Sequence, residues 1–73
     1  MKIGIRRAYD DYQALLLANC IEEMKGEIIT IELDEGSGVG SRMWYIWFRY
    51  KFDSQIEKID ILLEKKMDAE KGK

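Results

Sequence analysis

Few side chains in this 73-residue sequence are equipped for covalent chemistry. It has no histidine, so no imidazole can activate the single thiol, Cys20, or the hydroxyls of Ser37, Ser41 and Ser54. Cys20 falls on an apolar helical stripe with Leu16, Ile21 and Met24, the setting of a buried, inert thiol. Carboxylates occur as adjacent pairs, Asp10–Asp11 and Glu22–Glu23, but neighbours on a helix diverge instead of sharing a site. Glu32, Asp34 and Glu35 could offer oxygens to a cation. The spacing of a calcium-binding EF-hand loop is absent, and a solvated acidic edge is the better reading. The expectation is a protein that is not an enzyme and that carries no cofactor and no metal.

Two patterns could bind rather than react. In Gly36-Ser37-Gly38-Val39-Gly40-Ser41-Arg42, backbone amides could approach an anion, with Ser37, Ser41 and Arg42 adding donors. Gly36 and Gly40 enclose three residues where a Walker loop has four, and a strand pattern follows where a dinucleotide fingerprint needs a helix. With Asp34 and Glu35 adjacent, a hairpin turn is the favoured reading. The second pattern is Arg42–Phe52, where Met43, Tyr45, Trp47, Arg49 and Lys51 alternate with Trp44, Ile46, Phe48, Tyr50 and Phe52. Tryptophan, tyrosine and arginine on one strand face suit a protein interface. As the lesser alternative, Tyr45 and Trp47 could stack bases, with Arg6, Arg42, Arg49 and Lys51 on phosphates.

The elements that must carry these residues follow from periodicity. Lys2–Arg7 alternates as a short strand, Ile3 and Ile5 against Lys2, Gly4 and Arg6. Asp10 with Gln13 suggests a capping box, and Tyr12, Leu16, Leu17, Cys20, Ile21 and Met24 recur at helical spacing. The first helix is therefore expected over about residues 9–25, stopped by Lys25 and a glycine, Gly26, able to go left-handed. Glu27–Asp34 alternates again, Ile29, Ile31 and Leu33 against Ile28, Thr30 and Glu32, and forms a hairpin with the aromatic strand. Ser54 and Glu57 read as a capping box for a second helix with stripe Ile56, Ile59, Leu62, Leu63 and Met67, and a polar tail at about 68–73 is expected to fray.

The order strand–helix–strand–strand–helix predicts a small α+β domain spanning residues 1–73. In a right-handed split βαβ arrangement the third strand lies between the other two and antiparallel to both, a truncated ferredoxin-like two-layer sandwich with both helices on one face. The expected covered face takes Ile3, Ile5, Ile29, Ile31 and Leu33 with the Trp44–Phe52 series. The uncovered face then shows Met43, Tyr45, Trp47, Arg49, Lys51 and Ile28. This layout resembles the open sheet of RNA-recognition motifs, without their glycine-aromatic consensus or their fourth strand.

Composition sets the outer bounds. Hydrophobic residues make up 47% and charged residues 36%, which excludes a disordered polyelectrolyte and a membrane-spanning chain. One cysteine and no histidine exclude disulfide-stapled and zinc-stapled scaffolds. The first residues lack the pattern of a secretory signal, so a cytoplasmic location is expected. Net charge is −2, with basic character in residues 1–9 and 36–52 and acidic character in 10–35, so the open face is expected to be locally cationic. A core this small gains from association. The resulting expectation is a homodimeric protein-interaction module, a small regulator or inhibitor of the size viruses encode, acting through Tyr45, Trp47, Arg49, Lys51, Met43 and Ile28. Single-stranded nucleic acid or a nucleotide, held by the same face with Arg6, Arg42, Ser37 and Ser41, is the alternative.

Overall fold

The computed structural model describes residues 1–35 and 42–71. It is an α+β fold in the order β1 (Lys2–Ala8), α1 (Asp11–Glu23), β2 (Glu27–Asp34), β3 (Met43–Tyr50), α2 (Asp53–Lys71). The three strands form one open sheet ordered β1-β3-β2, with β3 antiparallel to both neighbours. This is the split arrangement expected from the element order. The shortest principal extent is 14 Å, a slab of one sheet and one helical layer.

Alternation along β3 divides the molecule. Ile46 and Phe48 are fully buried and join Leu17, Cys20 and Ile21 of α1 and Ile59 of α2 in a single core, with Trp44 and Tyr50 packed against it. Met43, Tyr45, Trp47 and Arg49 consequently turn to the uncovered face.

On β1 the expected faces are reversed. Gly4 pairs with Phe48 and Ala8 with Trp44 in the sheet register, so these small residues lie under the helices. Ile3 and Ile5 turn outward, 61% and 38% exposed. The cause is volume. A Cβ on Gly4 would stand 2.7 Å from Phe48 Cζ, so the buried ring occupies the space a side chain on that face of β1 would need. On β2, Ile31 and Leu33 pair with Ile46 and Trp44 on the covered side as expected, and the assignment changes only at the start of the strand, through a bulge between Ile28 and Thr30. Ile28 pairs with Phe48 and packs against the core, on the opposite side from that expected, and Ile29 is left exposed. Phe52 also departs from expectation. The strand stops at Tyr50, and Phe52 is 66% exposed.

Helix ends are held by glutamines at equivalent positions. At α1, Asp10 Oδ1 accepts the Gln13 N–H at 2.7 Å, and Gln13 Oε1 accepts the Tyr9 N–H at 2.7 Å. The cap expected from Asp10 and Gln13 is thus formed, and the helix runs over 11–23. At α2 the helix starts at Asp53, one residue before the predicted cap Ser54. Gln55 Oε1 accepts the N–H groups of Lys51 and Phe52, each at 2.8 Å, while its Nε2 donates to the carbonyl of Met24 at 2.8 Å. One side chain therefore ends β3, starts α2 and ties both to the end of α1. Those N–H groups would otherwise be unpartnered at a helix start.

α1 ends in a Schellman motif. Gly26 N–H donates to the Ile21 carbonyl at 2.8 Å, and Lys25 N–H to that of Glu22 at 3.0 Å. The left-handed residue is Lys25, at φ 67°, and not the glycine. Gly26 serves close approach instead, since a Cβ there would lie 2.8 Å from Ile21 Cγ2.

Two stability outcomes follow. Gly4→Ala should destabilise the fold by about 1–3 kcal/mol in urea unfolding, the usual range for overpacking a filled core. Lys25→Gly should stabilise it by up to about 1 kcal/mol, because glycine takes positive φ without steric strain. An unchanged midpoint for Gly4→Ala would contradict the placement of Phe48 over β1.

Candidate functional site

The uncovered sheet face is arranged in rows across the three strands. Arg7, Tyr45 and Glu32 form one row, Ile5, Trp47 and Thr30 the next, and Ile3, Arg49 and Glu27 the third. Met43, paired with Asp34, extends the pattern at one end. Trp47 remains 37% exposed in the middle row, while Tyr45 and Met43 are half-buried. A shallow depression here is lined by Ile5, Glu32, Tyr45 and Trp47. Apolar surface is thus concentrated on β1 and β3, and β2 supplies an acidic margin.

Of the interface residues expected from sequence, the structure brings Met43, Tyr45, Trp47 and Arg49 together on this face. Ile28 is removed from it by the bulge. Lys51 is exposed in the bend after β3, beyond the rows. Arg7, Ile3 and Ile5 are the residues that sequence reading missed. Their alternation was visible, but nothing in it says which side of the sheet the isoleucines take.

The face is not the cationic surface expected. Arg6 turns to the helical side, where Nε and Nη2 donate to Oδ1 and Oδ2 of Asp60 at 2.9 and 3.1 Å. Lys2 likewise pairs with Asp53, and that hydrogen bond raises the ammonium pKa above its ordinary value. Arg42, exposed just before β3, lines a separate cleft with Tyr9, Asp10, Asp11, Tyr12 and Trp44, where Trp44 Nε1 donates to Asp11 Oδ1 at 2.8 Å. Arg7 and Arg49 are therefore the cations in the three rows, facing the carboxylates of Glu27 and Glu32. Arg49 lies 3.9 Å from Glu27. Segment 36–41, with Ser37 and Ser41, lies outside the described residues.

Elsewhere the chemistry is sparse. Among the described residues no three metal-capable side chains converge. No helix among them is long and apolar enough to cross a membrane. Cys20 is buried, and loss of hydration pushes its thiol pKa up, with Lys66 opposing and Glu23 adding to the shift. Comparison with protein-family models, curated proteins and solved structures finds no match to this chain.

Cys20 gives a direct check on the core. Its thiol should resist iodoacetamide in the native protein and react readily once urea unfolds the chain. The same burial carries a sign for pH. The native thiol holds its proton to higher pH than the unfolded one, so stability is constant below the ordinary thiol range and falls as pH rises above it. Fast alkylation of the native protein would show that the α1–α2 packing opens.

Proposed function

We propose that this chain is a non-enzymatic protein–protein interaction domain, a small cytoplasmic regulator or inhibitor that acts by docking its open sheet face on protein. The observation that carries the reading is Trp47, partly exposed at the centre of an uncovered face and flanked by Ile5, Tyr45, Ile3 and Met43. An apolar aromatic centre with charged residues at its margins is the anatomy of an interface. Tryptophan, tyrosine and arginine are the side chains that most often dominate binding energy, which makes Trp47, Tyr45 and Arg49 the anchors.

Nucleic acid is the weaker reading. Phosphate recognition draws on clustered cations, and here Lys2 and Arg6 are engaged by α2 on the other side of the sheet. Glu27, Glu32 and Asp34 would repel a backbone laid across β2.

A photo-crosslinking residue placed at position 47, in the cells the chain comes from, tests this directly. Protein adducts should form from position 47 and not from position 15, which is exposed on the helical side. Adducts to RNA or DNA at position 47, or equal protein adducts from both positions, would defeat the reading. Trp47→Ala should weaken whatever docking is found by about 2 kcal/mol, a typical hot-spot loss, with little change in circular dichroism.

A further inference from the structure

The three rows of the open face carry a charge pattern with a handedness, and that pattern selects a partner. The row Arg7–Tyr45–Glu32 runs from positive through neutral to negative across the strands. The middle row, Ile5–Trp47–Thr30, is uncharged. Neither Arg7 nor Glu32 has an ion pair or side-chain hydrogen bond among the described residues, although they flank the same tyrosine. Two strands apart, they are separated by roughly 10 Å of sheet.

Resting on the reading of this face as a protein-docking surface, we propose that its occupant is a second copy of the same chain. The copies pack sheet to sheet about a two-fold axis that runs along β3, with Arg7 of each protomer opposite Glu32 of the other. Rotation about that axis carries β1 of one copy over β2 of its partner and leaves every row at its own height. The charged row then lies on its own reverse, so both Arg7–Glu32 contacts form at once. Packed sheets stand about 10 Å apart, a gap that an arginine and a glutamate side chain bridge together. Trp47 meets Trp47 of the other copy at the centre, and Tyr45 meets Tyr45. The two Arg49 side chains approach across the axis, each already beside its own Glu27 at 3.9 Å.

The other face-to-face arrangement, with the axis across the strands through Trp47, is disfavoured by the same rows. It sets β2 on β2 and brings Glu32 over Glu27 of the partner, while Arg7 falls on Ile3. That mode makes two carboxylate–carboxylate contacts, against the single Arg49–Arg49 approach of the favoured one, where each guanidinium already has its own Glu27 beside it and two Arg7–Glu32 contacts form. Size agrees with a reversible dimer. Three strands about 4.8 Å apart and seven or eight residues long present a face on the order of 14 by 25 Å. Two such faces bury roughly 700 Å², the size of a weak, transient contact, so association should depend on concentration.

Charge exchange tests the geometry, read by light scattering across a concentration series. Arg7→Glu and Glu32→Arg are both exposed changes that leave the core intact. Each alone should weaken self-association by about tenfold or more, since both crossed contacts become repulsive. An equimolar mixture of the two should recover a heterodimer. The chain carrying both changes should dimerise with itself and not with the wild type. Strengthened association of Glu32→Arg alone would overturn the proposal in favour of the axis across the strands. Association insensitive to both changes but abolished by Trp47→Ala would overturn this geometry while leaving the docking face in place. A chain that stays monomeric to millimolar concentration, yet gives protein adducts from position 47, would overturn self-docking and leave the interaction reading standing.

Discussion

Two helices can cover one face of a three-stranded sheet and no more. In this chain the central strand carries large side chains on both faces. β3 places Trp44, Ile46, Phe48 and Tyr50 under α1 and α2, and Tyr45 and Trp47 on the side that no element reaches. A slab with a principal extent of 14 Å has no third layer to supply. The open aromatic face is thus a direct consequence of putting a strand that is apolar on both sides into a two-layer domain. What the protein does is best sought where that imbalance lies.

The covered side is economical in its use of polar groups. Among the described residues no buried side-chain nitrogen or oxygen lacks a partner. Gln13 and Gln55 each serve a helix start and also reach across the fold, Gln13 Nε2 to the Met67 sulfur at 3.8 Å and Gln55 Nε2 to the Met24 carbonyl. Arg6–Asp60 and Lys2–Asp53 join the edge strand β1 to α2 along its solvent margin. Exposed pairs of this kind add little stability. They engage the two cations that alternation along β1 places on the helical side, and the same alternation leaves Arg7 on the open face.

Much of this was legible along the chain. The aromatic and β-branched character of Met43–Tyr50, after a glycine-rich stretch, identified the long strand, and a period of two then assigned its residues to two faces. The apolar stripe of α1 and its Asp10–Gln13 cap were equally plain. Helix boundaries were less so. Ser54 has the chemistry of a cap, but the carboxamide of Gln55 captures two N–H groups and moves the helix start back to Asp53. Lys25 takes the left-handed position although glycine follows it, because Gly26 is needed where Ile21 leaves no room for a Cβ.

The amino-acid sequence by itself determined the element order, the sheet order it implies and the presence of an aromatic–arginine face on β3, because local periodicity states which residues lie together. It could not determine which side of the sheet the β1 set would take, nor that a bulge would reverse Ile28 and Ile29 on β2. That choice depended on volumes meeting in space. Phe48 fills the helical side over β1 and admits only Gly4 there, which sends Ile3, Ile5 and Arg7 outward. On β2, one extra residue in the ladder turns Ile28 inward against Phe48. Only the tertiary structure therefore decided that the open face is apolar on β1 and carries Arg7 opposite Glu32 across β3, since alternation along a strand is blind to what packs beneath it.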